Sequence, residues 1–199
     1  MSVNRLESFS DGVLAVAITL LVLNIGVPSG RHLGHDLAQQ WPAYAAYVTS
    51  FMTIGIIWIN HHAMVGRLRE ADHAILILNV ILLMTVVVIP FGTSLLASYL
   101  KSGRGDHLAA IVYGAILLAM AIAFVVLNHH ILFRKAHLLA DELSLAHRQR
   151  ILARSSSGLI PYALATGLAA ASAYITLAIA FAVAVFYALP IASGLTLSE

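Results

Sequence analysis

Charge along this chain comes in short clusters separated by long uncharged stretches, which cover residues 12–30, 37–66, 73–100, 107–133 and 155–198. A helix needs about 20 apolar residues to cross the hydrocarbon core of a bilayer. Each of the first four stretches therefore fits one crossing. The fifth is about twice that length and predicts two helices, with a tight turn near residues 170–173, where small residues and Ser172 cluster. The pattern predicts an all-α membrane protein, one domain with six transmembrane helices at about 7–28, 42–66, 74–100, 107–133, 150–171 and 173–195. Five crossings follow if half of the last stretch lies in the interface. Pro90 and Pro161 interrupt the third and fifth spans, and proline bends a helix by removing a backbone donor. Gly158, Gly167 and the small residues through Ala173 permit close helix contact.

Composition agrees with the bilayer as solvent. The 199 residues are 60% hydrophobic and 10% charged, against about 25% charged in a soluble domain. A net charge of +2, with no basic run interleaved with aromatics, excludes a nucleic-acid partner. There are no cysteines, so thiolate chemistry and Cys-based zinc sites are excluded. Glu7 and Asp11 stand where the basic region of a signal peptide belongs, which argues for a retained first span. Lys and Arg set the direction: with six crossings one side receives Arg5, Arg67, Arg69, Arg134, Lys135, Arg148, Arg150 and Arg154, and the other Arg31, Lys101 and Arg104. This bias predicts both termini in the cytoplasm of a cell (inner) membrane protein. Trp41, Tyr44, Tyr47, Tyr99 and Tyr113 fall near the outer ends of their spans, as an aromatic belt does. No phosphate-binding G-x-x-x-x-G-K-[ST] or metal-binding H-E-x-x-H motif occurs, so no ATP-driven or zinc-hydrolase chemistry is expected.

The candidate chemistry sits at the mouth of the first span. Arg5, Ser10 and Asp11 are polar groups at the start of an apolar helix, where ionisable side chains face protein or water rather than lipid. Ser10 or Asp11 alone is also a natural helix cap. Trp58, Asn60, His61 and His62 close the second span at the same depth and are natural partners for Asp11. On the first helix Val16, Thr19, Leu20 and Leu23 recur at i, i+3, i+4 and i+7 and share a face, although any uniformly apolar helix shows such stripes. His61, His62, His129 and His130 form adjacent pairs that diverge around a helix and chelate metal poorly, so no metal is expected. Snorkelling to the interface is expected for His62, His129 and His130.

Arg5-x-x-x-Phe9-Ser10-Asp11, followed by Ala15-x-x-Ile18-Thr19-Leu20-Leu21-Val22-Leu23, resembles the first helix of the transmembrane-protein-175 family of potassium channels in its prokaryotic six-helix form. Trp58-x-x-His61 resembles that family's second-helix signature. The resemblance implies a homotetramer in which four copies of the first helix line one pore. It places the narrowest ring at Val16, further apolar rings at Leu20 and Leu23, and a hydroxyl layer linked to potassium preference at Thr19. It assigns a bracing polar network to Arg5, Phe9, Ser10, Asp11, Trp58, Asn60 and His61. It implies no catalytic residue and no cofactor, with permeant potassium and other monovalent cations, the lipid bilayer and further copies of the chain as partners. Two departures stand out: Val16 replaces a bulkier isoleucine or leucine, and Ala63-Met64-Val65 lacks an expected aromatic.

No Thr-Val-Gly-Tyr-Gly filter is present. The resemblance implies a passive, moderately potassium-selective channel, and without that filter the expected gate is dewetting of an apolar ring. The alternatives are a proton-coupled secondary transporter using Asp11 and His61, an intramembrane enzyme, and a structural subunit.

Overall fold

The computed structural model describes residues 2–28, 32–102 and 105–189, with Lys101 described in its backbone only. Helix α1 runs Val3–Leu20 and tightens into a 3-10 turn over Leu21–Asn24. A short α2, Leu33–Ala38, leads to α3, Trp41–Val65. The third stretch folds as α4, His73–Val87, and α5, Ile89–Ser102. Helix α6, Asp106–His129, continues through a π-helical turn, His130–Arg134, and a 3-10 turn, Ala136–Leu138. The chain ends in α7, Leu145–Ser156, α8, Leu159–Leu168, and α9, Ala173–Ala188.

Among the described residues four segments are long and apolar enough to cross a membrane: Val3–Asn24, Trp41–Val65, His73–Leu100 and Asp106–Arg134. The last stretch does divide at residues 169–172, but the predicted fifth span, 150–171, falls on two helices, the end of the polar α7 and the apolar α8, broken at Ser157 and Gly158. Pro161 lies in the first turn of α8 rather than kinking it, where an absent N–H leaves nothing unpaired. Pro90 acts as expected: regular helix stops at Val88, and the Pro90 carbonyl accepts a bond from Asn24 Nδ2 at 2.9 Å. The predicted end of the sixth span, from residue 190, lies outside the described residues, as do Arg31 and Arg104.

Helix α6 is the hub and packs against α4, α5, α7, α8 and α9. A Cβ at Gly114 would lie 2.8 Å from Thr166 Oγ1 and 3.1 Å from its Cα, so glycine there sets the approach of α8 to α6. A Cβ at Gly167 would meet no described atom within 4 Å, so that glycine makes no close helix contact within the protomer. Tyr113 is fully buried rather than in an aromatic belt, and its hydroxyl meets Ser50 Oγ at 2.9 Å. Thr93 reaches the same Ser50 at 2.7 Å, so α3, α5 and α6 share one buried polar junction. Trp41 is half exposed and stacks on Tyr174 with ring centroids 5.8 Å apart.

At the opposite end two connections clasp. Leu68 and Leu139 form an antiparallel bridge, Arg69 N donates to the Leu138 carbonyl at 2.9 Å, and Ala140 N donates to the Arg67 carbonyl at 2.8 Å. Asp72 caps α4 through Ile75 N and pairs with Lys135 at 2.7 Å. The Lys135 ammonium and the Ile75 amide hold its carboxyl below the usual carboxylate range. Arg67, Arg69, Arg134 and Lys135 therefore share one end of the bundle.

Candidate functional site

The two faces of α1 are built differently. Leu6, Ser10, Leu14, Ala17 and Leu21 form a buried stripe at helical spacing. Phe9, Val16, Thr19, Leu20 and Leu23 form another, and the protomer leaves it uncovered: Val16 is 58% and Leu23 75% exposed. The 3-10 turn gives three residues per turn, which keeps Leu23 in line with Leu20. Thr19 Oγ1 donates to the Val16 carbonyl at 2.9 Å. Its proton is thereby spent on the backbone, and its lone pairs remain for a donor or a cation outside.

Leucine gains little by turning from lipid to protein, because lipid tails are equally apolar; small residues and hydrogen bonds decide how membrane helices associate. Ala17 provides the small contact. Three side-chain ties provide the rest. Ser10 Oγ donates to the Leu6 carbonyl at 2.9 Å and accepts from Asn79 Nδ2 of α4 at 3.0 Å. Asn79 Oδ1 lies 2.7 Å from His61 Nε2 of α3, so His61 donates from that nitrogen. Ser10, His61 and Asn79 are all completely buried. Trp58 Nε1 donates to Asp11 Oδ1 at 2.9 Å, and Glu7 pairs with His62 Nδ1. Each tie joins α1 to α3, directly or through α4.

Several expectations change here. Ser10 and Asp11 lie well inside α1, which starts at Val3 after Ser2, and neither caps it. His61 bonds Asn79 rather than Asp11, and Asp11 bonds Trp58, so no direct contact links the two groups a proton relay would use. His62 is paired with Glu7 rather than simply snorkelling. Arg5 and Phe9 are exposed, and the Arg5 guanidinium has no partner among the described residues. Asn60 donates to the Ile56 carbonyl of its own helix at 2.8 Å and faces a separate cleft. Asn79 is a network member that sequence reasoning missed; its signal is an amide inside an otherwise oily run, where a polar group needs partners. Among the described residues no three His, Asp or Glu side chains gather as metal ligands.

The family model for the endosomal/lysosomal potassium channel TMEM175 matches residues 5–90. A potassium channel of Streptomyces collinus is 44% identical over 186 residues, covering 92% of this chain and 90% of that protein. A potassium channel of Chamaesiphon minutus is 38% identical over 190 residues, covering 93% of each. The crystal structure of a lysosomal potassium-selective channel TMEM175 homolog from Chamaesiphon minutus superposes with a TM-score of 0.83 at 36% identity, covering 94% of this chain and 96% of that one.

Proposed function

The chain belongs to the TMEM175 family, and from that premise we propose that it is a passive potassium channel whose pore is lined by the exposed face of α1 in a homotetramer. The observation that carries this reading is the asymmetry of α1. One face is fastened by buried hydrogen bonds, and the other offers a continuous strip with no cover in the protomer. Four such strips around an axis would form apolar rings at Val16, Leu20 and Leu23. A narrow apolar ring empties of water and blocks ions; slight widening lets it wet and conduct. Thr19, with its proton already donated to the Val16 carbonyl, would present oxygen lone pairs to a cation between two such rings. Hydroxyl layers give weaker discrimination than a carbonyl filter, so potassium preference over sodium is modest.

In this arrangement the protomer crosses the membrane six times, with the end of α7 and α8 making the fifth crossing and α9 lying in the sixth. The clasped end, which carries Arg67, Arg69 and Lys135, faces the cytoplasm of a cell (inner) membrane protein, in keeping with positive charge on that side. Val16 is smaller than isoleucine or leucine, so its ring should be wider and leakier.

The test is ion flux into vesicles containing the purified protein. Potassium should pass faster than sodium without a second substrate. Val16→Asn should hydrate the ring and raise conductance. Equal permeability of the two ions would overturn the potassium preference, and unchanged flux in Val16→Asn would mean that the constriction lies elsewhere.

A further inference from the structure

A second feature lies away from α1, between α3, α6, α7, α8 and α9. It is a cleft of about 150 Å³ near the clasped end. That volume accommodates a benzene-sized apolar group in a protein core. Its floor is apolar, with Ile57, Met120 and Phe124, and its rim carries Arg67 and Arg154. Among the described residues no Asp or Glu lines it.

Two observations favour an anion at this rim, and a third favours a hydrogen-bond donor beside it. Neither guanidinium has a hydrogen bond or ion pair among the described residues; Tyr187 and Ser157 donate to the Arg154 carbonyl instead. Arg67 is half-buried, and burial together with the nearby Arg154 charge pulls its guanidinium below the ordinary value. Asn128, 2% exposed, gives Nδ2 to Ser155 Oγ at 2.9 Å and leaves Oδ1 buried without a partner. Two like charges held together without a counter-ion are unfavourable, and a buried bare carbonyl oxygen needs a donor.

We propose that Arg67 and Arg154 bind the phosphate of an anionic phospholipid, with a glycerol hydroxyl directed to Asn128 Oδ1 and part of an acyl chain over the apolar floor. A fork of guanidinium donors suits phosphate oxygens. Basic pockets between transmembrane helices recognise lipid headgroups in this way. The apolar floor favours a lipid phosphate over a free one, since inorganic phosphate has nothing to place there.

The test uses the full chain in neutral detergent and measures lipid adducts by native mass spectrometry and the melting temperature; ion flux is not involved. Short-chain phosphatidylglycerol should bind saturably and raise the melting temperature more than phosphatidylcholine. Arg67→Gln combined with Arg154→Gln should weaken phosphatidylglycerol binding about tenfold or more. Ala63→Trp, which keeps both charges and fills the cleft beside α3, should weaken it as well and serves if the double variant folds poorly. Arg150→Gln, on the exposed side of α7, should bind as the unaltered chain does. Undiminished binding in both cleft variants would overturn the proposal. So would inorganic phosphate producing the same saturable shift, or a neighbouring subunit's carboxylate found on Arg67 in the assembled oligomer.

Discussion

The two faces of α1 carry almost the same kind of residue and serve opposite ends. The inner face has Leu6, Leu14, Ala17 and Leu21 around Ser10, and the outer face has Val16, Leu20 and Leu23 around Thr19. Each is an oily strip with one hydroxyl. They differ in what the hydroxyl does. Ser10 accepts from Asn79 and joins a chain of bonds that ends at His61. Among the described residues Thr19 bonds only to its own helix. In a lipid solvent, where leucine is equally comfortable on either side, that difference and the small Ala17 orient the helix. Hydrophobicity makes α1 a membrane helix; hydrogen bonding decides which way it turns.

Substitutions on the two faces should separate accordingly. Asn79→Leu has the largest expected effect. It strips partners from both Ser10 and His61, each buried, and should lower stability by about 2 kcal/mol or more, read as the melting temperature in detergent. An unchanged melt would mean the inner face is held by packing alone. Ala17→Leu should follow, costing about 1–3 kcal/mol by overfilling the contact of α1 with its neighbours. Trp58→Phe removes the donor to Asp11 and should cost about 1 kcal/mol. The outer face should behave in the reverse way. Leu20→Ala and Thr19→Val should each leave the melt within about 0.5 kcal/mol. Leu20→Ala should nevertheless raise flux, and Thr19→Val should reduce the preference for potassium over sodium. A large loss of stability in either would show that the outer strip is packed within the protomer rather than set aside for a pore.

The first four membrane helices were legible in the sequence because uncharged length is a strong signal. The turn before α9 was legible because small residues and Ser172 interrupt the last run. The division of α7 from α8 was not, since charge marks where the apolar run begins and not where a helix breaks. Within the site, Trp58 and Asp11 could be paired from their common depth. Asn79 was missed because nothing in its neighbourhood is polar; its partners arrive from two other helices. Asn60 misled for the reverse reason. It sits one residue from His61, yet one residue is about a hundred degrees around a helix, enough to turn it toward the cleft of Arg67 and Arg154. Arg5 and Phe9 are exposed, and the Arg5 guanidinium has no partner among the described residues, so the bracing that the resemblance implies for them has no counterpart there.

The bridge of Leu68 with Leu139 is made of backbone atoms, and so are its flanking bonds from Arg69 and Ala140. That tie is blind to side-chain identity and fixes the lengths of both connections: one inserted residue between α3 and α4 would slide Arg67 out of step with Ala140. Epitopes, dyes or crosslinkers belong a few positions later, at residues 141–143, where the chain is largely exposed and carries no backbone tie among the described residues.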